Sequence, residues 1–246
     1  MGTMAPTRIL SALADLLWVP RCVACDSFVT LAGGDSVCAA FCPVCIESLV
    51  PAESPRCPKC GLTFDGAGKD HLCGHCLADR PAFSSSYAPF LYGGALKQAI
   101  LRFKYRPAPW LSTQLGRLFF GRDGVPLAIP DVVIPVPSHP SRLRQRGFNQ
   151  SALLARHAAA VYRVPLDTTT LRRTGEAMPQ AGLNRAQRLK RLRGAFTANS
   201  TSRLTDTRVL LVDDVVTTTA TVRAAARSLV LAGARRVDVL SLARAP

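Results

Sequence analysis

Large aromatic side chains are scarce in this 246-residue sequence, with two tryptophans and four tyrosines. No broad platform for stacking bases is therefore written into it. No apolar run reaches the roughly 18 residues that a membrane-spanning helix needs. The nearest, residues 9–19, is interrupted by Asp15 and runs into a cysteine pair. With no small-residue cleavage site and only Arg8 as a positive start, it is not expected to be a signal peptide. Residues 8–17 read instead as a short amphipathic helix of a cytoplasmic protein. The four histidines enter no Ser-His-Asp or Cys-His arrangement, and His139 and His157 read as structural. Carboxylates are also in deficit, 16 against 31 basic side chains, for a formal charge of +15.

That charge is unevenly placed. Residues 1–96 carry 6 basic and 8 acidic side chains, residues 97–196 carry 18 and 4, and the remainder 7 and 4. An excess confined to the middle of the chain implies an anionic partner, a polyphosphate or a nucleic acid such as single-stranded DNA. A hydrophobic content of 48% with 19% charged residues is ordinary for a globular protein.

Cysteine is absent after residue 76, yet nine lie between Cys22 and Cys76. Eight form C-x-x-C knuckles: Cys22/Cys25, Cys42/Cys45, Cys57/Cys60 and Cys73/Cys76. In a chain without an export signal, disulfides are not the expected use. Two thiolates three residues apart converge on one metal, and two knuckles complete a tetrahedral shell. Four knuckles predict two structural Zn²⁺ ions, paired sequentially (22/25/42/45 and 57/60/73/76) or interleaved, since spacing permits both. Cys38 is left over, and His71 and His75 are not needed.

A Pro- and Ser-bearing passage, residues 77–92, leads out of this cysteine lobe. The expected organisation is a zinc lobe over 1–92 followed by an α/β domain over 93–246. Leu96, Ala99, Ile100 and Phe103 recur at helical spacing, as do Leu111, Leu115, Leu118 and Phe119. Residues 131–136, 209–212 and 237–242 read as buried strands, and 148–162 and 220–231 as helices. Gly233 stands just past the last helix, where a C-terminal cap belongs. Strand, helix, strand in this order predicts a parallel-type sheet with flanking helices.

The segment Val209-Leu-Leu-Val-Asp-Asp-Val-Val-Thr-Thr-Thr-Ala-Thr221 puts two carboxylates at a strand's carboxyl end, ahead of a hydroxyl-rich turn and a helix start. The crevice beyond such strand ends is where ligands bind in open α/β sheets. Free N–H groups at the helix start favour a phosphate, and Thr217, Thr218, Thr219 and Thr221 add hydroxyls around Ala220. Asp213 and Asp214 are placed to accept from ribose hydroxyls or to help hold a metal.

This loop resembles the phosphoribosyl diphosphate (PRPP) motif of type I phosphoribosyltransferases, and the wider chain resembles the ComF family of competence and DNA-uptake proteins. The resemblance is carried by Val133-Ile-Pro-Val-Pro-Ser138, by Arg142-Leu-Arg-Gln-Arg-Gly-Phe-Asn-Gln150, by Leu101-Arg-Phe-Lys-Tyr105, by Leu171-Arg-Arg with Met178-Pro-Gln180, Leu183, Arg188 and Gly194-Ala-Phe196, and by the knuckles. It implies that residues 217–221 cradle the 5′-phosphate while Asp213 and Asp214 address the ribose and carry the catalysis. Ser138, Arg142, Arg146 and Gly147 would lie against a diphosphate accompanied by Mg²⁺. The implied activity is transfer of phosphoribose to or from a nitrogenous base. The implied alternatives are a PRPP or nucleotide sensor without turnover and a single-stranded DNA-handling protein using the basic 97–196 region. The family has glycine where this chain has Thr219 and tends to asparagine where it has Arg191. Replacing Thr219 by glycine is therefore expected to tighten PRPP binding. Because the sheet needs a cover to exclude water, the cysteine lobe is expected to roof the site.

Overall fold

The computed structural model describes residues 21–29, 40–106, 108–120, 124–174, 194–199 and 204–245. The expected helix over 8–17, Cys38, Met178-Pro-Gln180, Leu183, Arg188 and Arg191 lie outside these residues.

The described elements are α1 (Pro43–Glu47), α2 (Gly74–Ala78), β1 (Ser85–Tyr87), β2 (Phe90–Leu91), α3 (Gly94–Tyr105), α4 (Leu111–Arg117), β3 (Val132–Pro135), α5 (Pro140–Arg146), α6 (Gln150–Tyr162), β4 (Leu171–Arg173), β5 (Phe196–Ala198), β6 (Arg208–Val216), α7 (Ala220–Leu231) and β7 (Arg236–Arg244). The main sheet has the order β1-β7-β6-β3, with β2 also on β7, and every pairing is parallel. The fold is α/β with a parallel sheet and flanking helices, as expected.

Alternation along the central strands sorts the core into two layers. Leu210, Val212, Leu240 and Leu242 face α3, α4 and α6, with Leu96, Phe103, Leu115 and Leu154 buried against them. Val209, Leu211, Val237 and Val239 face α7 through Val222, Ala225, Ala226 and Leu229. Both faces are covered, which is why β6 and β7 read as nearly continuous apolar runs. Gly116 lets α4 close on α6, since a Cβ there would stand 2.7 Å from the His157 ring. Burial and the nearby Arg117 charge lower the His157 pKa, in keeping with a structural role.

Three boundaries differ from expectation for local reasons. α6 starts at Gln150, not 148, because Asn149 caps it by accepting from the Ser151 N–H. β6 runs on to Val216, since Val215 and Val216 still pair with Ala243 and Arg244 of the equally long β7. The two carboxylates therefore lie within the strand's last four residues. β1 and β2 precede residue 93 yet pair with β7, so the sheet draws on the passage between the two expected domains. β4 and β5 form a separate antiparallel pair.

Candidate active site and zinc centres

The carboxyl ends of β3 and β6 open into a cavity of about 240 Å³. β6 supplies Asp213 and Asp214, and the turn after it supplies Thr217 and Thr221. The segment after β3 supplies Ser138, Arg142 and Arg146. These seven expected site residues are brought together. Thr219 and Ala220 instead line a smaller hollow of about 20 Å³ shared with Thr217 and Thr221. Thr218 lines neither, and Gly147 serves as the left-handed cap of α5 at φ 79°. His139 caps the start of α5, its ring nitrogen accepting from the Ser141 N–H.

Lys104, Ser151, Arg173 and Tyr92 also line the cavity. Ser151 Oγ donates to Asp213 Oδ1 at 2.9 Å, and Lys104 Nζ lies 2.8 Å from Asp214 Oδ2. Burial first, and the Asp214 charge second, push Asp213 up to about 7, while Ser151 and Lys104 oppose the rise. Burial works against the Lys104 charge, but Asp214 and Asp213 outweigh it and its pKa rises. Lys104 and Arg173 stood inside quoted motifs, Leu101–Tyr105 and Leu171–Arg173, but only the fold aims them at the carboxylates. Nothing in the sequence pointed Ser151 or Tyr92 this way.

The opposite wall is cationic. Burial, and then the Arg142 charge, lower the Arg173 pKa, while the Asp213 carboxylate opposes them. Arg146 stacks 4.9 Å from the Tyr105 ring centroid and donates to Gln150 Oε1 at 3.2 Å. Its Nε and Gln150 Nε2 are buried donors with no partner among the described residues. Such donors are costly unless an acceptor fills the space. The arrangement suits a polyanion whose uncharged portion meets the carboxylates.

Thr219 caps α7 in the left-handed region, at φ 62°, and is 3% exposed. A β-branched residue seldom adopts that conformation. Its Oγ1 donates to the Thr218 carbonyl at 2.6 Å and accepts from Arg223 Nε at 3.1 Å, so it points into the protein.

The cysteines form two groups, Cys22/Cys25/Cys42/Cys45 and Cys57/Cys60/Cys73/Cys76, with the sulfurs of each within 4.8 Å of one another. The sequential pairing holds, and the interleaved one does not. Cys25 and Cys42 sulfurs lie 3.7 Å apart, and Cys60 and Cys73 sulfurs 3.6 Å. Four Zn–S bonds of about 2.3 Å in a tetrahedron set sulfurs about 3.8 Å apart, so both donor sets fit Zn²⁺. The Ser27 hydroxyl and N–H draw the Cys25 thiol down to about 6, whereas burial pushes Cys45 up. His71 stacks on Phe64 at 4.1 Å instead of joining a cluster.

The expected roof is not what these ribbons form. Of the described residues 1–92, only Tyr92 lines the cavity. The first cysteine group is buried in the core layer of α3 and the second in that of α7, on opposite faces of the sheet. Ribbons sunk into both layers flank the site.

The double zinc ribbon domain family matches residues 13–77. The chain is 30% identical over 231 residues to competence protein F of Haemophilus influenzae, covering 92% of this chain and 97% of that protein. It is 31% identical over 210 residues to the DNA utilization protein YhgH of Escherichia coli K12, covering 83% and 90%. Among solved structures it is similar to glutamine PRPP amidotransferase from B. subtilis complexed with ADP and GMP, at 23% identity over 56% of this chain and 30% of that one, with a TM-score of 0.39.

Proposed function

The chain belongs to the competence protein F family, and we propose that its sheet-end cavity binds PRPP or a nucleotide and transfers phosphoribose to or from a nitrogenous base. The observation that carries this reading is the meeting, in one cavity, of a strand-end carboxylate pair, a threonine turn opening a helix, and the three guanidinium groups of Arg142, Arg146 and Arg173. The N–H groups opening α7 and the Thr217 and Thr221 hydroxyls take the 5′-phosphate. Asp213 and Asp214 accept from the ribose hydroxyls, Asp214 being held for this by Lys104. Arg142, Arg146 and Arg173, with the Ser138 hydroxyl, take the diphosphate and stabilise its charge as the anomeric bond breaks. Asp213 and Asp214 would be the hard oxygen ligands to hold Mg²⁺, which would supply further charge neutralisation there. Displacement at the anomeric carbon rests on positioning and needs no protein nucleophile. The test is a titration with Mg²⁺–PRPP, then a screen of bases for diphosphate release. Saturable binding with release on one base is expected, and absence of binding sinks the reading.

A second reading, single-stranded DNA held along the basic 97–196 region, is favoured by the charge there and by Tyr105 and Trp110, which are 65% and 63% exposed. It predicts binding that weakens steeply with salt. Among the described residues no helix is long and apolar enough to cross a membrane.

A further inference from the structure

Two arginines are almost wholly removed from solvent, Arg223 at 7% and Arg244 at 3% exposure. A guanidinium cannot shed its charge, so burying one is costly unless acceptors surround it. Both find theirs on the same two bodies, the second zinc ribbon and the phosphate turn. Arg223 donates through Nε to Thr219 Oγ1 at 3.1 Å and through Nη1 to Asp79 at 2.9 Å, and its Nη2 approaches Cys76 Sγ at 3.9 Å. Arg244 donates through Nε to the Cys60 carbonyl at 3.1 Å. Its Nη1 reaches the carbonyls of Val216 at 3.2 Å, Thr217 at 2.5 Å and Ala245. One arginine thus ties the ribbon to the end of the turn, the other to its beginning.

We propose that Arg223 and Arg244 are positioning residues through which the second zinc centre, and not the first, fixes the conformation of the turn 217–219. The inference rests on the reading of that turn as the phosphate site. Its physical basis is charge as well as geometry. A zinc tetrathiolate carries a net charge of about −2, which makes Cys76 a strong acceptor and offsets the buried Arg223 cation. Without the metal the four cysteines are no longer held together, so the ribbon end that anchors Arg223 is freed and Thr219 loses the strut holding it at positive φ. The first ribbon makes an equivalent grip elsewhere. Arg102 donates to the Cys22 carbonyl at 3.0 Å and pairs with Asp26 at 2.6 Å, which fastens that ribbon to α3.

The test uses the full zinc-loaded chain and hydrogen exchange resolved by peptide. Arg223→Met and Arg244→Met are expected to keep two zinc ions and the exchange of residues 57–76, while the amides of 217–222 exchange about tenfold faster. Arg102→Lys is expected to leave 217–222 unchanged. PRPP affinity is followed in parallel. If the parent binds no PRPP but exchange responds as described, the phosphate reading fails and the coupling stands. A result in which both arginine variants leave 217–222 at the parent rate, or in which Arg102→Lys loosens it equally, overturns the proposal. Stepwise chelation of the unaltered chain decides the matter if the variants fail to fold. Protection of 217–222 should vanish in the step that releases 57–76 and not in the step that releases 21–29. Loss in the other step, or one collapse of the whole chain, overturns it.

Discussion

The two zinc ribbons have the same ligand set and opposite attachments. The first docks at both ends of α3. Its Ser48 Oγ accepts from the Ala95 N–H at 3.1 Å where the helix starts, and a Cβ on Gly94 would stand only 2.3 Å from the Ser48 carbonyl. Arg102 holds it one turn before the helix ends, and Lys104 follows two residues later, paired with Asp214. The second ribbon packs in the layer of α7 and is tied to the turn 217–219 through Arg223 of that helix and Arg244 of β7. One cysteine cluster therefore backs the carboxylate wall of the cavity, and the other backs its threonine turn.

The strongest way to break this comparison is to remove each metal separately. Purified protein should contain two zinc ions per chain. Cys22→Ser with Cys25→Ser, and Cys73→Ser with Cys76→Ser, should each leave one. Structural zinc can contribute on the order of 10 kcal/mol to folding, so both variants should melt far below the parent. The first should weaken the Lys104–Asp214 pairing and spare the turn, while the second should do the reverse. Identical ligand-binding defects in the two would mean the ribbons act only as bulk support.

Next in size is the carboxylate wall itself. Asp213→Asn with Asp214→Asn should lower affinity for Mg²⁺–PRPP by at least about 100-fold, since each carboxylate accepts charge-assisted hydrogen bonds. Folding should survive, because neither side chain belongs to the apolar core. Parent-like affinity measured by calorimetry would show that the strand end is not where the ribose sits.

The sequence carried the frame of this site further than its contacts. β6, α7 and β7 were legible because their apolar periods are strong and because Asp-Asp and the threonine run punctuate them. Zinc pairing was not legible, since C-x-x-C spacing says nothing about which knuckles meet in space. Lys104 reaches Asp214 across 110 residues, and Ser151 reaches Asp213 across 62, which no local pattern encodes. Among the described residues of the lobe the roof expectation is not met, because it counted available segments without knowing which surfaces they buried. Cysteines next to Phe41 and Phe83, both fully buried in the two core layers, belong to the flanks.

A smaller effect comes from protons. Asp213 sits at about 7 in the folded chain against an ordinary 3.8. Between those values the folded chain holds a proton that the unfolded chain has released. The stability this group contributes is complete below about pH 4 and is lost as pH rises through 7. Ligand binding should run the other way, because only ionised Asp213 accepts from two ribose hydroxyls. From about pH 6 to 8, Mg²⁺–PRPP affinity should rise roughly tenfold, and Asp213→Asn should flatten the slope. A flat profile in the parent would mean that Ser151 and Lys104 keep Asp213 ionised throughout.

The smallest expected effect concerns Thr219, at the junction of the turn with the second ribbon. The family's glycine at this position favours tighter binding on replacement by glycine, and the observed φ of 62°, where a β-branched side chain is strained by about 1–2 kcal/mol, points the same way. The structure adds an opposing contribution. The Thr219 hydroxyl accepts from Arg223 Nε, and losing that bond removes about 1 kcal/mol, with the greater freedom of glycine in the unliganded turn costing about 0.5–1 more. Thr219→Gly should therefore bind Mg²⁺–PRPP within about threefold of the parent. Thr219→Ala separates the two contributions, since it discards the hydroxyl and keeps a Cβ at positive φ. It should bind about fivefold more weakly than the glycine variant and melt below it. If alanine and glycine prove equal, backbone strain at Thr219 plays no part, and the loss in both variants is that of the hydroxyl's bond to Arg223.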